Sequence, residues 1–94
     1  MGRVDAFTVA GLDLWFNSSD HVPPHLHARK SGHWEIRIYI LECTEGHLEF
    51  SMKWPPNGTG PSTKERKALL AGVLSHRAAL LEEWERKVVV KEDI

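Results

Sequence analysis

Residues 33–54 read HWEIRIYILECTEGHLEFSMKW, and this stretch decides the fold. In an extended chain Trp34, Ile36, Ile38 and Ile40 point one way, and His33, Glu35, Arg37 and Tyr39 point the other. Leu48, Phe50, Met52 and Trp54 then alternate with His47, Glu49, Ser51 and Lys53. A turn from Glu42 to Gly46 joins the two runs. Together they read as a β-hairpin with one apolar and one polar face. Upstream, Leu12, Leu14 and Phe16 alternate with Asp13 and Trp15, and Val4 to Val9 offers a further strand. Downstream, PPNGTGP at 55–61 cannot continue a strand and makes a loop. Ser62 and Glu65 stand at capping-box spacing. Beyond them Leu69, Leu70, Val73, Leu74, Leu80, Leu81, Trp84 and Val88 form one apolar stripe of a helix from about residue 63 to 88.

A hairpin with one apolar face needs a cover, and the helix stripe is its natural partner. The expected fold is α+β: a small antiparallel sheet of three to five strands packed on one long C-terminal helix, in a single domain over residues 1–94. Alternation places Trp34 and Trp54 inside with Trp84, which removes them as a base-stacking platform.

With 94 residues, 41% hydrophobic and 27% charged, the chain suits one globular domain. Its formal charge of −1 lacks the basic excess of a nucleic-acid binder, although a local patch survives that test. Cys43 stands alone and cannot form an internal disulfide. No apolar run is long enough to span a membrane. The start, MGRVDAFTVAG, carries Asp5 and does not read as a signal peptide, so a cytoplasmic protein is expected.

The functional signal is histidine density. Six histidines occur in the chain, and three of them fall between His21 and His27 in the segment DHVPPHLHA, residues 20–28. On a strand His25 and His27 share a face, while Leu26 and Ala28 turn to the core. A tight hairpin about Ser31-Gly32 would set His27 beside Glu35 and His25 beside Arg37, giving a polar floor with Tyr39, and with Glu49 or His47 behind it. Four readings follow. The histidines cap turns around the Pro-Pro bend. Or Asp20, His21, His25 and His27 hold a divalent transition metal such as Zn²⁺, Ni²⁺, Cu²⁺ or Fe²⁺. Or His25 and His27, with Glu35 and Arg37, perform metal-independent acid–base chemistry such as RNA cleavage. Or the polar face docks a protein. An edge strand also offers a route to a homodimer. On the helix, His76 sits at the margin of the stripe and Arg77 inside it. The Lys64/Arg66/Lys67 cluster opposes the helix dipole and hints at an acidic partner.

The segment Asp20-His21-x-Pro23-Pro24-His25-x-His27-Ala28 resembles the signature of a widespread family of small bacterial proteins described as a domain of unknown function. His76, Leu80 and Trp84 match a weaker helix pattern of that family. The resemblance runs from about Leu12 to Glu85. Leu26 stands where the family usually has an aromatic residue, and the 42–61 region is longer than the usual connection. The resemblance implies a toxin–antitoxin-like two-gene cassette with a small partner protein from the neighbouring gene, and no established reaction or cofactor.

Overall fold

A computed structural model describes residues 2–88. Five strands form one antiparallel meander in sequence order: β1 (Gly2–Arg3), β2 (Asp13–Phe16), β3 (His25–Lys30), β4 (Trp34–Tyr39) and β5 (Phe50–Trp54). Two helices follow, α1 (Thr63–Ser75) and α2 (Arg77–Lys87). The α+β architecture is the expected one. Phe16, Leu26, Ile36 and Ile38 from the sheet join Leu69, Val73, Leu80 and Trp84 from the helices in one buried core. Cys43 is fully buried within it, and burial pushes its thiol above the ordinary range. No helix among the described residues is long and apolar enough to cross a membrane.

Four expectations are corrected. First, the β3–β4 turn centres on Gly32, whose φ of +78° suits glycine, rather than on Ser31. The register therefore moves by two residues: His27 faces Arg37, Arg29 faces Glu35 and His25 faces Tyr39. A shift of two preserves the faces but changes every neighbour. Second, Trp54 is 50% exposed. Ile36 pairs with Met52 but Glu35 with Trp54, so Lys53 is an extra residue on β5. That bulge moves Trp54 from the core side to the outer side. Third, Val4 to Val9 is not a strand. Val4 N–H donates to Leu14 O at 3.1 Å, after which the chain leaves the sheet. It is caught by buried Glu83, whose carboxylate accepts from the N–H groups of Asp5 (2.7 Å) and Ala6 (2.8 Å) and from Lys87 Nζ (2.8 Å).

Fourth, the long helix is two helices. His76 has φ −121° and ψ 21°, outside the helical range, although its N–H still reaches Gly72 O and its carbonyl still accepts from Leu80. The bend accompanies Arg77, which a straight helix would aim into the apolar stripe. Arg77 instead donates to the Cys43 carbonyl, while its Nε is buried without a partner. Exposed His76 stacks on Phe7, with ring centroids 5.8 Å apart. The capping box forms as read: Glu65 N–H donates to Ser62 Oγ, and Ser62 N–H to Glu65 Oε1.

Phe7 lies so close to Gly72 that a Cβ there would stand 2.2 Å from two of its ring carbons. In an open helix Gly→Ala stabilises by about 1 kcal/mol. Here overpacking of about 1–3 kcal/mol opposes that gain. The balance is a net cost of about 0–2 kcal/mol, so Gly72→Ala should lower the melting temperature by up to roughly 10 °C, whereas in a Phe7→Ala background the same substitution should raise it. A stabilised G72A single variant in thermal denaturation would refute this packing.

Candidate metal centre

Strand β3 is buried on both faces from His25 to Ala28. Leu26 and Ala28 meet Ile38 and Ile36 on the core side. His25 and His27 occupy the other side, yet are only 7% and 2% exposed. Their cover comes from elements whose residues the sequence suggested for other roles. Trp15, the cross-strand partner of His27 on β2, stacks over its ring with centroids 5.3 Å apart and planes 17° from parallel. Tyr39 flanks His25 at 5.8 Å. Trp84 of α2 reaches the end of the sheet and stands 5.4 Å from His25, so the helical layer borders the histidines instead of lying wholly opposite them. The two imidazoles meet edge to face at 5.1 Å.

The loop from Asn17 to Asp20 closes the site. Its turn is held by Asp20 N–H donating to Asn17 O at 3.2 Å and by Asn17 N–H donating to Asp20 Oδ2 at 3.1 Å. This self-closure aims the Asp20 carboxylate at both histidines. Asp20 Oδ2 is 3.0 Å from His27 Nε2, and Oδ1 is 3.6 Å from His25 Nε2. Asp20, His25 and His27 thus offer one ligand atom each, all within 4.8 Å of one another.

Hydrogen bonding fixes where the lone pairs lie. His25 Nδ1 is 2.9 Å from the Pro23 carbonyl, which can only accept. Nδ1 therefore carries the proton, and the Nε2 of a neutral ring presents its lone pair towards Asp20. Asn17 Oδ1 accepts from Trp15 Nε1–H at 3.1 Å, which turns its Nδ2 donor to His27 Nε2, also at 3.1 Å. His27 Nε2 is thereby claimed twice: as acceptor by Asn17 and as donor by Asp20. Its other nitrogen, Nδ1, is buried with no partner. No protonation state of a neutral His27 satisfies all of these groups. Burial pushes the His27 pKa below its ordinary value near 6.5, against the opposing pull of Asp20, so the neutral ring is favoured.

The remaining sequence candidates separate. His21 is exposed and lines a cleft of about 300 Å³ with Asp20, Pro23, His25, Arg37 and Tyr39, but it does not join the three clustered ligands. Arg37 borders the site across from His27. Glu35 does not: it lies across from Arg29, and its carboxylate is 3.1 Å from Lys53 Nζ. His47 and Glu49 pair with each other at 2.9 Å in an exposed position. The covering roles of Trp15 and Asn17 were not read from the sequence. The signal for Trp15 was present, since a large aromatic opposite Leu14 and Phe16 implies a covered outer face. Asn17 read only as turn chemistry.

A lowered histidine pKa sets a sign. Above about pH 7.5 the folded and unfolded states both hold His27 neutral, and its full contribution to stability is present. As pH falls below that value the unfolded state binds the proton first, and stability is lost. The urea midpoint of metal-free protein should therefore fall between about pH 7.5 and 5, more steeply than that of His27→Gln. Parallel profiles for the two proteins would contradict the buried neutral ring.

Known proteins add a family and no assigned activity. No curated protein and no solved structure matches the chain. Residues 11–85, which include β2 to β5, the histidine cluster and most of α2, match a family described as Domain of unknown function (DUF4160), and the chain belongs to that family.

Proposed function

We propose that the protein binds one divalent transition metal ion through Asp20, His25 and His27, and that its activity is carried at that ion. The supporting observation is the direction of the lone pairs. With Nδ1 donating to Pro23 O, the neutral form of His25 presents its Nε2 lone pair to a carboxylate, and the His27 Nε2 is contested by that carboxylate and an amide donor. A cation between these atoms turns repulsion into coordination. Ligand atoms bound at ~2.0–2.2 Å to one ion stand ~3.0–3.6 Å apart; Asp20 Oδ1 is 3.1 Å from His27 Nε2 and 3.6 Å from His25 Nε2, and the three ligand atoms lie within 4.8 Å of one another. The His25 Nδ1–H bond to Pro23 O is the outer contact that orients a ligating imidazole. An ion at this point takes the His27 lone pair from Asn17.

Two imidazoles and one carboxylate suit Zn²⁺, Fe²⁺, Ni²⁺ or Cu²⁺, and three protein ligands leave coordination positions open. Asp20 and His25 also line the cleft, so an ion held there would supply Lewis-acid chemistry to a small molecule in it. Direct proton exchange between His25, His27 and an RNA substrate fits less well, because both rings are buried. His21, on the cleft rim, is outside the ligand set in this reading.

Protein purified without a histidine tag should bind one equivalent of Zn²⁺ or Ni²⁺ in calorimetric titration, more weakly as pH falls through the imidazole range. Asp20→Asn, His25→Ala and His27→Ala should each weaken binding by ~100-fold or more, and His21→Ala by less than ~3-fold. Ion at ~100 times its Kd should stabilise the fold by about 2.7 kcal/mol, visible as a rise in melting temperature. Absence of both binding and stabilisation at micromolar ion would overturn the proposal.

A further inference from the structure

Arg37 is half-buried in the centre of the sheet, facing His27 on β3 and Ser51 on β5. The carboxylates around it are committed elsewhere: Glu35 to Lys53, Glu49 to His47, Asp13 to Arg29 and Asp20 to the histidines. Among the described residues no carboxylate lies within ion-pair distance of its guanidinium. With no carboxylate partner among the described residues and no Arg37 nitrogen buried, its planar fork of donors stays accessible, and an oxyanion is the group that matches that fork best. Arg37 also lines the cleft that borders Asp20 and His25.

The rest of the cleft suits the same occupant. Tyr39 shares the Arg37 face, and its hydroxyl lies 3.0 Å from Ser51 Oγ, which places two further polar groups beside the guanidinium. His21 stands on the rim. Val22, 64% exposed, and Pro23 supply an apolar flank. A volume of about 300 Å³ has room for a small molecule.

From this geometry we infer that the cleft binds a small oxyanion, a carboxylate or phosphoryl group, with one oxygen on Arg37 and another on the open side of the metal. The inference rests on the metal reading of Asp20, His25 and His27. Charge explains the dependence. The Asp20 carboxylate and the Arg37 guanidinium offset one another in the cleft. A divalent ion adds two positive charges at its inner end. Metal and arginine then form a two-point clamp that fixes the orientation of the bound group. That makes Arg37 a substrate-binding residue and assigns the site to molecules carrying a terminal carboxylate or phosphate.

Co²⁺-loaded protein provides the test, because the visible bands of Co²⁺ report changes in its coordination. Inorganic phosphate and oxalate, titrated separately, should change those bands with saturation below ~10 mM, and the tighter of the two identifies the preferred class. Arg37→Met should weaken the anion response by ~10-fold or more while changing Co²⁺ affinity by less than ~3-fold, and Arg37→Lys should restore part of it. Loaded wild-type protein that ignores both anions up to ~50 mM, or an R37M variant that responds like wild type, would overturn this inference and leave the metal site standing. Failure of Co²⁺ to bind at all would remove the metal reading and this inference together.

Discussion

The site is governed by one carboxylate in a confined place. Asp20 has a side chain only 11% exposed, and it faces two imidazoles that are more deeply buried still. Such a group is costly to desolvate unless its charge is met. The surrounding structure is arranged to hold it there. The Asn17 turn closes on the carboxylate itself, Asn17 is fixed in turn by the Trp15 indole, and Trp15 is fixed by stacking on His27. The chain of contacts begins and ends on the same histidine. A structural motif that merely terminated a strand would have no need of it, because a solvated aspartate would form the same turn.

This closed loop differs from the surroundings of a fully satisfied histidine. Structural histidines buried beside sheets usually place each ring nitrogen against one complementary group. His25 meets that standard at Nδ1, through the Pro23 carbonyl, and fails it at Nε2, which confronts Asp20. His27 has one nitrogen with competing partners and one with none. Apart from Arg77 Nε, the unmet polar demand among the described residues gathers on these two same-face histidines.

Much of this was legible from period-two patterning. The side-chain faces of β3 and β4 and the capping box followed from residue identity, because strand parity and cap chemistry are local. What escaped was set by single-residue insertions and by tertiary competition. The Gly32 turn changed the partner of every residue on β3, so Glu35 left the site while Arg37 moved opposite His27. One bulge at Lys53 reversed Trp54. The bend at His76 depended on a carbonyl contact from Arg77 to Cys43, 34 residues away in the chain. None of these leaves a periodic trace, since each concerns one residue whose alternatives are nearly equal in local propensity. The cluster of Asp20, His25 and His27 was nevertheless visible, because their proximity is built into eight consecutive residues around two prolines.

The helical layer couples the site to the rest of the domain. Trp84 packs edge to face with Phe16 in the core at 6.3 Å and touches His25 at 5.4 Å. Its neighbour Glu83 is 3% exposed and holds the backbone of Asp5 and Ala6, while Lys87, one turn on, joins Glu83 and Asp5. One turn of α2 therefore sets both the path of the N-terminal segment and the wall of the histidine pocket. A shift of that turn would move Trp84 against His25 and alter the angle at which Nε2 meets Asp20. The geometry of the histidine cluster and the stability of the fold are consequently linked through the same few side chains. The site gains its rigidity from the core, and does not depend on the exposed loop alone for its shape.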